Sequence, residues 1–351
     1  MNIFDILQML VDRQGSDIHI IVKTPPTLRV DGHLSPVEGA PALTKEQTEA
    51  LIIPLMTKEQ KEYVLVNKEI DFGYQFKELG RFRVNVYYHL GALGAALRLI
   101  PSKVKTLDEL QLPPILHNLT KYRQGLVLVT GPSGEGKSTT LAAIIDEINS
   151  TRAEHILTIE DPVEFVYQPK KSIISQREIN HDTHGWDIAL RSALREDPDV
   201  VLVGEMRDFE TISAAITVAE TGHLVFATLH TASAAQTVDR MIDVFPARQQ
   251  QQVRQQLAAT LKAVVSQRLI PMVSGGQVAA CEIMFGVPAI ANLIREQKTH
   301  QIDNVIQTSG EMGMILIETA LSALVQRGAI SAEKAREVSF RPEEMERLLG
   351  G

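Results

Sequence analysis

Apolar residues fall at helical spacing through Ile3, Ile6, Leu7 and Leu10, so the chain opens on an amphipathic helix that Gly15-Ser16 ends. Asp17-Ile18-His19-Ile20-Ile21-Val22 then reads as a strand, stopped by Pro25-Pro26. Thr27–Val30 and Asp31–Leu34 read as a hairpin turning on Asp31-Gly32. A single helix is expected from Thr44 to about Val66, because Thr44-Lys45-Glu46-Gln47 has the spacing of a capping box. Ile70–Tyr74, Arg81–Tyr87 and Ala95–Ile100 alternate at period two, as antiparallel strands do. Residues 1–100 are thus expected to form a mixed α+β domain, and 101–118 a linker with one short helix.

From Gly125 the texture changes. Gly125-Leu126-Val127-Leu128-Val129-Thr130 is a continuous apolar run, the pattern of a strand buried on both faces of a parallel sheet. Similar runs recur at Ile156–Ile159, Val200–Val203 and Leu224–Thr228, separated by helical stretches. That alternation predicts an α/β sheet with helices on both faces over residues 119–285. Residues 286–351 read as almost wholly helical and end in a charged tail. No internal repeat or low-complexity tract interrupts the pattern.

Composition narrows the class. A chain of 351 residues, 44% hydrophobic and 22% charged, is long enough for about two ordinary globular domains and is not disordered. Lys plus Arg is 35 against 43 for Asp plus Glu, a net charge of −8, which disfavours generic nucleic-acid binding. The single cysteine, Cys281, rules out an intrachain disulfide and a cysteine-rich zinc site, so a reducing cytoplasm is expected. No run approaches the roughly 20 apolar residues that span a bilayer. The opening residues carry no secretion signal, so a membrane role is expected to come only through a partner.

The strongest chemical signal is Gly131-Pro132-Ser133-Gly134-Glu135-Gly136-Lys137-Ser138-Thr139, which matches G-x-x-x-x-G-K-[ST] between a buried strand and a helix. Glycines let such a loop wrap closely enough for its amides to hold phosphate oxygens, and the helix N-terminus adds its positive end. Lys137 is expected to reach the β and γ phosphates of ATP and the Ser138 hydroxyl to hold Mg²⁺. A second signal is Val200–Val203 followed by Gly204-Glu205, where a strand delivers an acid to the sheet edge at which open α/β sheets bind ligands. Glu205 is therefore the candidate for supporting Mg²⁺ or the attacking water, since Gly204 occupies the more usual acid position. Glu160, Asp161 and Glu164 crowd three carboxylates into five residues just past a strand; they are expected either to gather at that edge and polarise water or to form a solvated loop. His223 and His230 flank one short strand, as phosphate sensors or as structural residues.

Taken in order, the phosphate loop, the Glu160–Glu164 box, Ser192–Asp199, Gly204–Asp208 and Glu220-Thr221-Gly222-His223 through Thr228-Leu229-His230 resemble the type II/IV secretion ATPases, and among them the motors that retract type IV pili. The resemblance spans nearly the whole chain. It implies an N-terminal PAS-like domain and a RecA-like ATPase domain with a helical C-terminal region, in a homohexameric ring. By the same resemblance Glu164 is the catalytic glutamate and Glu205 the acid of the second nucleotide motif. His223 and His230 fall in the family's histidine box, and Arg81, Arg83 and Arg98 are candidates to approach phosphates as the ring closes. The implied partners are an inner-membrane pilus platform protein and a paralogous retraction ATPase, with the chain cytoplasmic and peripheral to the membrane. An accessory retraction ATPase, or a nucleotide-gated scaffold with little hydrolysis of its own, is the alternative. Three departures from the family pattern stand out: Ser133 and Glu135 in the loop, Ala291 in place of an arginine, and the run Gly313–Glu318. A carboxylate at Glu135 is expected to repel phosphate unless it points outward.

Overall fold

The computed structural model describes residues 1–30, 32–77, 79–100 and 103–350. The chain divides into two compact units, Met1–Lys103 with Asp161–Val166, and Val104–Glu160 with Tyr167–Gly351. The split is not the one chain order suggests, because the short acidic segment after Glu160 clusters with the N-terminal residues.

In the first unit, helix α1 (Ile3–Asp12) starts at Asn2, whose side chain accepts from the Asp5 amide while Asp5 reciprocates, and it buries Ile3, Ile6, Leu7 and Leu10. The expected helix from Thr44 to Val66 is broken in two, α2 (Lys45–Ile52) and α3 (Lys58–Asn67), with a 3₁₀ turn at Ile53–Leu55 between them. Pro54 lacks the amide a continuous helix needs, and Thr57 with Gln60 repeats the capping box that Thr44 and Gln47 form upstream. Strands β1 (Asp17–Ile20), β2 (Thr27–Val30), β3 (His33–Pro36), β4 (Glu69–Phe76), β5 (Gly80–His89) and β6 (Ala92–Ile100) form one antiparallel sheet in the order β3-β2-β1-β6-β5-β4. Along β5, Phe82, Val84 and Val86 are fully buried while Arg81, Arg83 and Asn85, which alternate with them, are not, the half-buried alternation the sequence carries. Asp31 of the expected Asp-Gly turn, and Pro101 and Ser102 of the expected linker, lie outside the described residues.

The second unit is built on a seven-stranded sheet. Its strands are β7 (Gly125–Thr130), β8 (His155–Glu160), β9 (Ile173–Glu178), β10 (Val200–Val203), β11 (Leu224–Leu229), β12 (Leu261–Pro271) and β13 (Gln277–Phe285), in the order β13-β12-β7-β11-β10-β8-β9. All neighbours run parallel except the β12–β13 pair. Every residue of β7, β10 and β11 is buried, so the apolar runs are central strands of a covered sheet. The helices that connect them are α4 (Lys137–Thr151), α5 (Trp186–Ala193), α6 (Phe209–Glu220), α7 (Ala234–Asp243) and α8 (Ala247–Thr260). Residues 104–121 belong to this unit, not to a free linker: the 3₁₀ helix Pro114–Lys121 buries Leu116 and Leu119, and His117 meets Glu147 of α4 at 2.7 Å.

The C-terminal helices α9 (Pro288–Arg295), α10 (Ile302–Thr308), α11 (Ile317–Gln326), α12 (Ala332–Val338) and α13 (Pro342–Gly350) complete the second unit. Ile317, Leu321, Leu324, Ile330 and Met345 pack with Ile270 of β12 and Val278 of β13. Fully buried Glu282 and Glu318 flank Arg341, whose Nη1 lies 3.6 and 2.6 Å from their carboxylates. Burial pushes the Glu282 carboxyl up despite that neighbour. No helix among the described residues is long and apolar enough to cross a membrane.

Candidate phosphate-binding site

Strand β7 ends at Thr130, and the chain turns through Gly131 (φ +142°), Gly134 (φ +83°) and Gly136 (φ +77°) before α4 begins at Lys137. These are backbone conformations that residues with a Cβ rarely adopt, so the glycines of the sequence motif are required by the path of the chain. Lys137 is buried, and its Nζ donates to the carbonyls of Gly131 (2.8 Å) and Pro132 (2.7 Å). Its ammonium is thereby curled over its own loop. Ser133, Gly134 and Ser138 are exposed, and Pro132, Glu135, Gly136 and Thr139 half-buried.

Two residues of β12 brace the loop, and neither is visible in the motif. The Gln267 side chain accepts from Thr140 Oγ1 at 2.7 Å and donates to the Glu135 carbonyl at 2.6 Å. Arg268 Nη1 lies 3.3 Å from Glu135 Oε1, while the amide of Leu269 donates to the other oxygen of that carboxylate. Glu135 therefore points onto β12. The usable signal for β12 is the short apolar run Ala263-Val264-Val265 with Leu269-Ile270, ahead of the turn at Gly275-Gly276.

Glu205 follows β10 at the same sheet edge. At Gly204, before it, a Cβ would lie 3.3 Å from both the Glu160 Cα and the Ile159 carbonyl oxygen, so a side chain there would be crowded by the backbone of β8. The Glu205 carboxylate pairs with Arg207 and lies 3.4 Å from His230 Nε2. His230 follows β11, whose last residue, Leu229, is in register with Thr130 of β7, so the structure brings His230, Glu205 and the start of the loop to one edge. His223 is not among them. It precedes β11 at the opposite end, about 23 Å away at the usual strand rise, and its ring contacts Thr221 Oγ1 (3.0 Å) and the Val218 carbonyl (3.1 Å).

The three clustered carboxylates are divided between the two units. Glu160 remains in the second unit, buried, accepting from Thr158 Oγ1 at 2.6 Å, whereas Asp161 and Glu164 belong to the first. Within that first unit Arg81 Nε donates to the Val163 carbonyl at 2.8 Å, and Arg83 Nη1 lies 3.9 Å from Glu164 Oε1. Gly73 leaves the space through which Arg81 passes, since a Cβ on it would sit 2.1 Å from the guanidinium. Arg98 is engaged elsewhere: its Nε donates to Asp17 Oδ1 at 2.8 Å. Burial of Asp17 opposes its charge, but the Ser16 hydroxyl, Arg98 and Arg29 outweigh this and hold its carboxyl below the usual range.

Ser138 and Glu205 offer a hydroxyl and a carboxylate, the hard oxygen donors that suit Mg²⁺. No group of three or more His, Cys, Asp or Glu residues able to hold a metal occurs among the described residues, so these donors fit an ion that takes its other ligands from phosphate and water.

A glycine-rich loop between an inner strand of a mostly parallel sheet and a helix, with an acid two strands away at the same sheet edge, is the arrangement of a RecA-like ATPase domain. The chain belongs to the type II/IV secretion system protein family, whose model matches residues 3–344. It is 50% identical over 343 residues to the type IV pilus retraction ATPase PilT of Pseudomonas aeruginosa, a match covering 98% of this chain and 99% of that protein. To the type IV pilus ATPase PilU of the same organism it is 39% identical over 331 residues, 94% of this chain and 86% of PilU. A crystal structure of the pilus retraction motor PilT with bound ADP superposes with a TM-score of 0.92 at 44% identity, covering 99% of each chain.

Proposed function

We propose that this chain powers the retraction of type IV pili by hydrolysing Mg-ATP, working as a homohexamer against an inner-membrane platform protein. The observation that carries the reading is the braced loop from Gly131 to Thr139 with Lys137 at its mouth, in a chain alike to PilT from end to end. The weaker likeness to PilU argues against the accessory-motor alternative, although Ala291, buried in α9, keeps the departure seen in the sequence.

In this reading the loop amides and the start of α4 cradle the phosphates, and the Lys137 ammonium exchanges the Gly131 and Pro132 carbonyls for phosphate oxygens. Mg²⁺, held by Ser138 and Glu205 with phosphate and water, would offset charge on the phosphates. Glu205, steadied by His230, is the acid of the second motif, and Glu164 orients the attacking water. Positioning and electrostatic stabilisation supply most of the catalysis, because phosphoryl transfer asks little covalent chemistry of the protein. Arg81 and Arg83 are better supported as holders of the Glu164 segment than as phosphate ligands, and Arg98 as the partner of Asp17. The opposite strand end assigned to His223 supports a structural role for it. A paralogous retraction ATPase is a further partner in this scheme.

Phosphate release by purified protein tests the reading. Lys137→Ala is expected to abolish turnover, and Glu205→Ala to keep nucleotide binding while stopping hydrolysis. Release near the wild-type rate in either variant would refute the assignment.

A further inference from the structure

A carboxylate inside a phosphate-binding loop needs a reason to be harmless, and Glu135 has one. The parallel pairing of β12 with β7 ends at Ser266 and Thr130, where β7 turns into the loop. Beyond that point the Leu269 amide faces no β7 residue, and the Glu135 carboxylate takes its place as acceptor. Arg268 supplies the counter-charge at 3.3 Å, and the Gln267 amide ties down the Glu135 carbonyl. Arg268 is itself held: its guanidinium lies 4.9 Å over the ring of Phe340, and the Phe340 amide donates to the buried Glu318 carboxylate at 3.1 Å.

We propose that Arg268 is a positioning residue for nucleotide binding: by pairing with Glu135 it holds that carboxylate on β12 and out of the phosphate cradle, and so sets the affinity of the loop for polyphosphate. The proposal rests on the reading of the loop as a nucleotide site. Without Arg268 the carboxylate is left with one amide donor on a mobile side chain, beside a ligand of the same charge. The Phe340 contact links the latch to the segment between α12 and α13, so the packing of the C-terminal helices bears on the loop.

The test is a titration of a fluorescent ATP analogue into wild type, Arg268→Ala, Glu135→Ser and the double variant. Arg268→Ala is expected to weaken binding about tenfold, the factor equivalent to 1.4 kcal/mol. Glu135→Ser should bind at least as tightly as wild type. The double variant should recover to within about threefold of Glu135→Ser, because the two residues act through one contact. Merely structural damage at Arg268 would not be rescued at Glu135. Should the alanine variant unfold, Arg268→Gln carries the same comparison. Unaltered affinity in the Arg268 variant, or a double variant as weak as that single, would overturn the latch while leaving the nucleotide site intact. Absence of binding by wild type would overturn both.

Discussion

Gly131→Ala isolates the geometric demand of the loop from its chemistry. At φ +142° an alanine is strained, and its Cβ would lie 2.4 Å from the carbonyl oxygen of Gln267. That oxygen belongs to the backbone of β12, next to the Ser266–Thr130 register pair, so it cannot withdraw without disturbing the sheet. Backbone strain of about 1–3 kcal/mol and overpacking of about 1–3 kcal/mol together give roughly 2–6 kcal/mol. Gly134→Ala is the matched control. Its φ of +83° also disfavours a side chain, but no heavy atom lies within 4 Å of the new Cβ, so only about 1–2 kcal/mol of left-handed strain applies. Trp186, the one tryptophan of the chain, sits at the start of α5 in the second unit and makes fluorescence a local probe of unfolding there. For a unit of this size each kcal/mol shifts the midpoint by about 2–4 °C, so Gly131→Ala should melt several degrees below Gly134→Ala. Midpoints within about 1 °C of one another would show that β12 yields, and the argument that it fixes the loop would fail.

His117 and Cys281 give two further tests. Partial burial works against the His117 charge, but Glu147 and Asp108 outweigh it and raise its pKa above the ordinary 6.5. A raised pKa stabilises the fold fully below that ordinary value and loses the contribution as pH climbs through the folded one. Melting temperatures between pH 5.5 and 8.5 should therefore fall more steeply for wild type than for His117→Ala; parallel profiles would exclude the clamp on α4. Burial pushes the Cys281 thiol up to about 12, so a maleimide should leave the native protein unlabelled and label one thiol after denaturation. Prompt labelling of native protein would contradict that burial.

Much of the site was legible because its signals are local. The loop motif, the apolar runs of β7, β10 and β11, and the acid after β10 each lie within about ten residues, where period and glycine placement carry the information. What escaped the sequence was long-range. Nothing near Glu135 announces Gln267 or Arg268, more than 130 positions away in a strand that begins where α8 ends, with no turn residue between. The break at Pro54 was readable, since a proline and a second Thr-x-x-Gln box interrupt the helical pattern, but the first capping box drew the whole stretch into one helix. That Glu160 and Glu164 fall in different units was not readable, because spacing in a loop does not say which unit the loop packs on. That His223 and His230 stand at opposite ends of one strand was readable, because a run of apolar residues separates them; which of the two ends meets the loop was not.

The charged groups named as candidates share one further property: each is already held inside the chain. Lys137 donates to two carbonyls of its own loop, Glu205 pairs with Arg207, Glu135 with Arg268, and Glu164 lies near Arg83. Of these pairs only Arg83–Glu164, 3.9 Å apart with both side chains partly exposed, is of the weak kind that contributes about 0–1 kcal/mol; the Glu135 and Glu205 carboxylates are largely shielded. The buried ammonium of Lys137 differs, because releasing it leaves two carbonyls to find new donors, at about 1–3 kcal/mol for each that fails. In the proposed function the new contacts of Lys137 with phosphate must outweigh that loss, which would link occupancy to the conformation of residues 131–137. The two acids differ in what carries them: Glu205 follows β10 at the sheet edge of the second unit, whereas Glu164 lies in the first unit with Arg81 and Arg83.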